Sequence, residues 1–399
     1  MIKLPNIQLK GDRTLWAIAI LLAVISFMPV YSASSNLTFS RGGGTPLGYL
    51  IKHMITLGSG FLIMFVLHKL NYRYFAPLAV IAMPFVVLLL IYTLTQGTTM
   101  GGANASRWVR LPVVGFTFQS SALASLVLMI FLARYLSKNV GQITTLKQMW
   151  LPILMPIAII CGLILPANFS TTAIVFVMAM TLLFLGGVHW KPLLQIVGMG
   201  VVALTLFIVV VMTFPGISNR VSTWKARIEN FVSGTAEDNY QADKAKMAIA
   251  EGMVIGKGPG KSVQKNFLPQ SNSDFIYAII VEEYGLFGGS FIIMCYVWLF
   301  IRIIRIALRA PTIYGTLLAI GAGMGIIIQA VINMGVAVNL FPVTGQTLPL
   351  VSSGGTSVWM TCAAIGIILS VSQATSSETA NATEIIDESQ SYTQDVATA

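Results

Sequence analysis

Long apolar runs, separated by short polar stretches, dominate the 399-residue chain. A helix of about 20 apolar residues crosses the roughly 30 Å hydrocarbon core of a bilayer. The alternating pattern of an outer-membrane barrel strand is absent from these runs. The sequence therefore predicts an all-α integral membrane protein. Ten helices are predicted, at 14–32, 46–68, 75–95, 119–136, 150–166, 171–187, 193–213, 277–301, 314–336 and 354–373.

The composition agrees with a membrane protein. Only 10% of the residues are charged and 56% are hydrophobic, whereas soluble domains carry about 25% charged residues. The formal net charge of +10 raises the question of nucleic-acid binding. The Lys and Arg residues are scattered between the apolar runs and form no dense basic tract, so no nucleic-acid partner is expected.

The distribution of Lys and Arg indicates how the helices are oriented. With the N-terminus in the cytoplasm, twelve of these residues lie on cytoplasmic segments and four on short outer segments. The positive-inside rule favours this orientation. An even number of spans returns the chain to the cytoplasm. There, residues 374–399 have almost no large apolar side chains and are predicted to form a disordered tail after a membrane domain at 1–373.

A polar insert at 214–276 interrupts the helices on the predicted outer side and carries the other eight Lys and Arg. Trp224, Ile228 and Phe231 are spaced as one face of an amphipathic helix. The stretch from Tyr240 to Glu251, stopped by Gly252, predicts a second helix. These helices are expected to lie on the membrane surface or to cap the bundle.

Acidic residues are confined to a few positions. Asp12 is followed by no Asp or Glu until Glu229, so the first seven predicted helices cannot supply a general base. Apart from acids on the solvated insert and the tail, Asp274, Glu282 and Glu283 remain. Ionisable groups within a span are costly and by default indicate a functional site.

These three acids also have structural interpretations. Asp274 directly precedes an apolar run and so could cap the eighth helix. Glu282 lies within about 80° of Asp274 on the same helical face. Glu282 and Glu283 could form a buried ion pair or a hydrogen bond that holds helices together. Both interpretations remain open at the level of the sequence.

A Gly- and Lys-rich stretch at 256–262 resembles a phosphate-binding loop, but its spacing is not that of a Walker motif and no strand precedes it. Lys257, Lys261, Lys265 and free backbone N–H groups suit an anion. A solvated turn is the alternative. The three His and three Cys residues are dispersed and form no metal or triad pattern.

Four stretches together resemble the SEDS family of bacterial cell-wall polymerases (shape, elongation, division and sporulation), and within it the cell-division branch. The resemblance covers roughly residues 14–373. The stretches are Ala105-Ser106-Arg107-Trp108 with Phe118-Gln119-Ser120; Asn168-Phe169-Ser170-Thr171; the segment from Gly256 through Leu268-Pro269 and Ser273-Asp274-Phe275 to Glu282-Glu283-Tyr284-Gly285; and Asn333-Met334-Gly335 with Pro342, Gly345, Leu348-Pro349 and Ser352-Ser353-Gly354-Gly355.

Three positions depart from the family pattern. Ala122 ends the Gln119-Ser120-Ser121-Ala122 stretch where the family usually reads Gln-Pro-Ser-Glu, Asn168 replaces an acid, and Gln270 stands where Glu is common. A second carboxylate or a metal ligand is therefore not expected at these positions. Asp274 is left as the sole acid in the segment that matches the family's catalytic loop.

The resemblance implies a peptidoglycan glycosyltransferase that polymerises lipid II, a disaccharide-pentapeptide on undecaprenyl pyrophosphate, during septal cell-wall synthesis. The reaction would take place at the outer face of the bacterial cytoplasmic membrane. On this hypothesis Asp274 is the general base for an inverting transfer to the acceptor's 4-hydroxyl. The residues expected to bind substrate are Trp108, Arg107, Lys257, Lys261, Glu282, Asn333, Ser352 and Gly354.

The resemblance also implies helpers and partners. A divalent metal ion, Mg or Mn, would help to stabilise the departing pyrophosphate. The expected partners are a class B penicillin-binding protein, which is a single-span transpeptidase, other division membrane proteins and membrane lipid.

Two other functions remain open. A lipid flippase or transporter would suit ten helices with Pro breaks such as Pro152 and Pro156, and a flux assay in proteoliposomes would reveal it. A non-enzymatic scaffold for the division complex would make Asp274 dispensable.

Overall fold

The computed structural model describes residues 10–40, 45–96, 108–110, 117–213, 239–268 and 271–375, and most of these residues are helical. Within these ranges, all the helices except α8 are apolar. They are α1 (Arg13–Ser40), α2 (Pro46–Lys69), α3 (Phe75–Gln96), α4 (Ser120–Lys138), α5 (Leu146–Ile164), α6 (Phe169–Leu185), α7 (Trp190–Thr213), α8 (Asn239–Gly252), α9 (Ile276–Leu308), α10 (Ile313–Ala337) and α11 (Thr356–Thr375). A two-stranded antiparallel hairpin joins β1 (Val109–Arg110) to β2 (Thr117–Phe118).

The all-α membrane class is confirmed. Nine of the described helices are long and apolar enough to cross a bilayer, and α6, at 17 residues, is the shorter tenth. Each predicted span coincides with one of these ten helices. The largest differences are at α1, which continues to Ser40 instead of ending at 32, and at α9, which continues to Leu308 instead of ending at 301.

Local sequence explains where several helices begin. Thr45 caps α2 by accepting a hydrogen bond from the Gly48 N–H, and Thr312 caps α10 in the same way through the Gly315 N–H, each at 3.1 Å. Asn168 caps α6 through the Thr171 N–H at 3.3 Å. The side chain at this departure from the family pattern therefore begins a helix.

Two apolar cores lie side by side in the bundle. One is formed mainly by α1, α2, α9, α10 and α11, and the other by α3, α4, α5, α6 and the start of α7. Helix α10 contributes to both cores and so joins them. Only 6% of the α7 span is buried, so its apolar side chains face lipid.

The polar helix α8 covers one end of α9. Its buried residues Ala242, Ala245 and Ala248 allow the close approach, and Ala245 and Ala248 join the first core. The prediction of a helix from Tyr240 to Glu251 that is stopped by Gly252 is confirmed. The amphipathic helix predicted around Trp224 lies outside the described residues. So does the predicted tail at 374–399, except for its first two residues, which end α11.

Helix α9 is interrupted at Gly285, whose φ of 67° lies in the left-handed region. With 33 residues the helix is about 50 Å long, longer than the roughly 30 Å hydrocarbon core. At the break, the Leu286 N–H donates to the Met253 carbonyl at 3.0 Å. A Cβ on Gly285 would lie 2.2 Å from the Val254 carbonyl oxygen, so this glycine permits direct contact between two backbones.

Gly285→Ala is expected to destabilise the protein more than Gly260→Ala, as measured by thermal unfolding in detergent. Both glycines have positive φ, and a Cβ on Gly260 meets no atom within 4 Å. Gly260→Ala therefore carries only the backbone strain of about 1–2 kcal/mol, whereas Gly285→Ala adds a clash between backbones. Equal losses in the two variants would contradict the close contact at Gly285.

Candidate active site

Two adjacent carboxylates are buried near the start of α9. Glu282 is 0% exposed and Glu283 is 1% exposed. A buried charge is very costly unless it is paired and hydrogen-bonded. The surroundings of these residues must therefore supply donors.

Donors from the loop after α8 surround Glu282. The Lys257 ammonium lies 2.9 Å from Oε1, and the Val263 N–H donates to the same oxygen at 2.8 Å. The Ser262 hydroxyl donates to Oε2, and the Gln264 N–H approaches that oxygen at 3.3 Å. Both carboxylate oxygens of Glu282 are thus occupied by groups of the protein itself.

Glu283 ties the same loop to α1. Its Oε1 accepts hydrogen bonds from the Ser32 hydroxyl and, at 3.4 Å, from the Ser262 N–H. The Lys265 ammonium donates to the Ser32 hydroxyl oxygen at 3.1 Å and to the Gly260 carbonyl at 2.7 Å. We call Glu282, Glu283 and the donors Ser32, Lys257 and Ser262 the glutamate clamp.

The loop at 256–262 does bind an anion, but that anion is Glu282 together with Glu283. Even its first backbone donors are used internally, because the Lys257 N–H reaches the Glu282 carbonyl at 3.0 Å and the Gly258 N–H reaches the Glu283 carbonyl at 2.9 Å. The expectation that Glu282 and Lys257 contact substrate therefore does not fit their placement. The structural interpretation of Glu282 and Glu283 fits it better.

A second carboxylate strengthens the hold on Lys257. Its ammonium also pairs with Glu251, whose other oxygen accepts from Gln264 Nε2 at 3.2 Å. The hydrogen bond from Lys257 lowers the pKa of Glu251. Burial alone would lower the pKa of Lys257, but its hydrogen bonds to Glu251 and Glu282 outweigh this and raise that pKa. Both groups are therefore charged at neutral pH, and the lowered pKa of Glu251 and the raised pKa of Lys257 widen the pH range over which the pair holds.

Asp274 lies in the turn at 271–275 that leads into α9, and it is partly buried. The N-cap residue of α9 is Phe275, with φ of −115° and no capping bond from its side chain. The alternative that Asp274 is the N-cap of this helix is therefore wrong. Its carboxyl group stands one residue before the cap.

The loop at 338–355, between α10 and α11, holds this turn. The Ser352 hydroxyl donates to the Ser273 carbonyl at 2.6 Å, and the Ser353 N–H donates to the Asn272 carbonyl at 2.9 Å. Asn333, near the end of α10, donates to the carbonyl of Asp274 itself at 2.8 Å.

Three residues expected to bind substrate are thus engaged within the protein. Asn333 and Ser352 are 1% and 0% exposed, and Gly354 is buried as well. A Cβ on Gly354 would lie 3.1 Å from Thr347 Oγ1, so this glycine is needed for close packing. Direct contact of Asn333 and Ser352 with substrate does not fit their burial, and both side chains instead bond the backbone of the turn that carries Asp274.

The other predicted site residues lie nearer the surface. Lys261 is exposed on the loop after α8, and Trp108 is partly buried at the start of the hairpin. Arg107 lies outside the described residues. Their contact with substrate stays a prediction.

Sequence reasoning did not find the partners of the buried carboxylates. Ser262 ends the Gly- and Lys-rich stretch at 256–262, but that stretch was expected to hold an anion of the substrate. Ser32 and Gln264 lie in segments with no unusual pattern, and Ser32 is 251 residues from Glu283 along the chain. The clearest signal was the pair Glu282-Glu283 in an apolar run. Buried carboxylates need hydrogen-bond donors, but the sequence does not show which residues provide them.

Comparison with known proteins gives consistent matches over almost the whole chain. The model of the FtsW/RodA/SpoVE family, described as a cell cycle protein, matches residues 12–377. The probable peptidoglycan glycosyltransferase FtsW of Hydrogenovibrio crunogenus is 30% identical, over 89% of this chain and 90% of its own length. Stage V sporulation protein E of Bacillus subtilis is 30% identical, over 91% of this chain and 97% of its own length.

Two solved structures share the fold. The rod shape determining protein RodA of Thermus thermophilus superposes with a TM-score of 0.64 and 25% identity, covering 92% of this chain and 98% of its own. A chain from a peptidoglycan synthase complex that coordinates polymerization and crosslinking gives a TM-score of 0.71 with 24% identity, over 92% of this chain and 98% of its own. At that identity the second likeness concerns the fold alone.

Glu282→Gln is expected to loosen the loop at 253–268 and to lower stability by about 2–3 kcal/mol, because buried donors lose a charged acceptor. Limited proteolysis and thermal unfolding would measure the two effects. Asp243→Asn is the matched control, since it removes the exposed Lys246–Asp243 pair of α8, whose contribution is about 0–1 kcal/mol. A Glu282→Gln variant as stable and protease-resistant as this control would contradict the clamp.

Proposed function

The chain belongs to the FtsW/RodA/SpoVE family, as the SEDS resemblance predicted, and on that premise we propose that it is a peptidoglycan glycosyltransferase that polymerises lipid II. Within the molecule, the proposal rests on Asp274. Its carboxylate belongs to a turn whose backbone carbonyls accept hydrogen bonds from other segments of the protein. The names of the chain's relatives indicate the reaction class, and Asp274 would provide the general base that this reaction needs.

Five other described acids take part in ion pairs or hydrogen bonds within the protein. Asp12 pairs with Arg302 at the opposite end of the bundle, and Asp243 pairs with Lys246. Glu251, Glu282 and Glu283 all belong to or adjoin the glutamate clamp. Asp274 is proposed as the base because it lies in the segment that matches the family's catalytic loop.

Asp274 would accept the proton of the acceptor sugar's 4-hydroxyl as that oxygen attacks the anomeric carbon of the donor. The new glycosidic C–O bond forms while the bond from that carbon to the lipid pyrophosphate breaks. The electron pair leaves on the pyrophosphate, and the proton stays on Asp274 until water removes it. Attack from the face opposite the leaving group inverts the anomeric centre.

The leaving pyrophosphate needs positive charge near it in the transition state. Lys261 suits this role because its side chain is exposed beside the clamp, whereas the ammonium of Lys257 is already shared between Glu251 and Glu282. Arg107 is a further contributor in this proposal. Trp108 would stack on a sugar or line the path of the lipid.

A divalent ion, Mg or Mn, is part of the proposal only as an ion that the protein and the substrate phosphates would bind together. Within the described ranges no three His, Cys, Asp or Glu side chains converge on a metal-sized site. Mg²⁺ often binds through one or two carboxylates plus substrate phosphates, and in this proposal Asp274 would be such a carboxylate. No step above depends on it.

We further propose a class B penicillin-binding protein as partner, together with other division membrane proteins. A structural neighbour comes from a peptidoglycan synthase complex, which supports this idea by its fold. The chain is a multi-pass membrane protein, and the proposal locates it in the bacterial cytoplasmic membrane at the septum. Both termini would be cytoplasmic, with Asp274 on the outer face.

Asp274→Asn is expected to remain folded and inserted while its rate of lipid II polymerisation falls about 10²–10⁴-fold, because the amide cannot take the proton. Purified protein with its transpeptidase partner would be assayed for glycan strands on a gel. Asp243→Asn removes one carboxylate from the same polar insert and should keep wild-type activity.

Normal glycan synthesis by Asp274→Asn would overturn the role of the base. If the wild-type chain moves lipid II across proteoliposome membranes and never forms polymer, the glycosyltransferase proposal itself fails in favour of a flippase.

A further inference from the structure

Three consecutive backbone carbonyls, those of Asn272, Ser273 and Asp274, each accept a hydrogen bond from Ser353, Ser352 and Asn333 respectively. We propose that Asn333 and Ser352 are positioning residues, which set the direction of the Asp274 carboxylate without touching substrate. This inference rests on the proposed function, because it assumes that Asp274 is the base.

Asn333 reaches the turn from the rigid end of α10. Its Nδ2 donates to the Asp274 carbonyl at 2.8 Å and to the Gln346 carbonyl at 2.7 Å. Both neighbours are carbonyl oxygens, which only accept, so the amide nitrogen must face them. One side chain thus uses both of its N–H bonds to join the turn to the loop at 338–355.

The same connection continues into the second apolar core. Gln346 Nε2 donates to Thr171 Oγ1 at 3.0 Å, and Thr171 lies in the first turn of α6, which Asn168 caps. The carbonyl of Asp274 is therefore linked through two buried amides to a helix on the other side of α10. Movement of the turn would require these links to break.

Ser352 uses its hydroxyl in both directions. It accepts a hydrogen bond from the Leu348 N–H at 2.8 Å and donates to the Ser273 carbonyl at 2.6 Å. The accepted bond orients the hydroxyl hydrogen toward the turn. Leu350 within this loop has a φ of 63°, a left-handed conformation that the surrounding contacts must hold.

The position of Asp274 makes these bonds matter for rate. Asp274 precedes the N-cap, so the hydrogen bonds of α9 do not fix its backbone. A base must lie within about 3 Å of the hydroxyl whose proton it removes. A displacement of about 1 Å can cost roughly 10²-fold in rate, and the carbonyl bonds limit such displacement.

The test compares Asn333→Leu and Ser352→Ala with wild type in steady-state lipid II polymerisation with the transpeptidase present. Positioning predicts that kcat falls about 10–100-fold in each variant while KM for lipid II stays within about twofold, since neither residue binds substrate. Amide hydrogen exchange should accelerate in the peptide covering 271–275 and remain unchanged in α10 and α11.

Tyr296→Phe is the matched control. The Tyr296 hydroxyl is also buried and also ties α9 to the same loop, but it donates to the Pro349 carbonyl and not to the carbonyls of 272–274. This variant should lose a comparable hydrogen bond and keep its kcat.

Several results would overturn the inference. Unchanged kcat in Asn333→Leu or Ser352→Ala would do so, as would an equal loss in Tyr296→Phe, because the effect would then be general to the loop. If Asn333→Leu does not fold, Ser352→Ala and the exchange measurement decide alone. A wild-type chain that makes no polymer counts against the proposed function and not against the hydrogen bonds, which the exchange measurement still tests.

Discussion

The burial of Glu282 and Glu283 is the constraint on which the rest of this end of the molecule depends. Two adjacent carboxylates in a largely apolar helix would be prohibitively costly without donors. The protein supplies them by folding the loop after α8 onto α9, with Lys257, Ser262 and three backbone N–H groups pointing inward. The requirement to neutralise these acids therefore fixes the course of a polar loop above the membrane.

This arrangement separates the structural acids Glu282 and Glu283 from Asp274, the proposed base. The glutamate clamp fixes the loop after α8 on α9, and the loop at 338–355 holds the turn at 271–275 through the carbonyls of Asn272 and Ser273. Gly285 allows the segment after α8 to pass close to α9, because its missing Cβ admits the Val254 carbonyl. The turn that carries Asp274 is thus held by hydrogen bonds from α10 and from the loop at 338–355, as the proposed role of a base requires.

Much of the fold was predictable because membrane helices are specified by long apolar runs, which a sequence displays directly. The end of α8 at Gly252 and the prominence of Asp274 also followed from local signals, a helix-stopping glycine and the scarcity of acids. The break in α9 at Gly285 was not predictable, since a glycine in an apolar run is usually tolerated as helix. Its left-handed conformation is imposed by tertiary contact with Met253 and Val254.

The site was predicted in its chemistry more than in its contacts. The loop at 256–262 had the character of an anion-binding segment, and it is one, but sequence spacing could not reveal that the anion is Glu282. Likewise Asn333 and Ser352 stood out in the family motif, and only the structure shows that their partners are backbone carbonyls. Contacts between residues that lie far apart along the chain produce no periodic pattern in the sequence, so the sequence alone does not reveal them.

The most direct test of the central claim is the distance between the Asp274 carboxylate and the acceptor sugar's 4-hydroxyl. A structure of the chain in nanodiscs with an unreactive lipid II analogue and an acceptor glycan would measure it. The account predicts a separation of about 3 Å, with the clamp intact and Lys257 still bound to Glu282. An acceptor bound with its hydroxyl beyond the reach of Asp274 and close to another acid would contradict it.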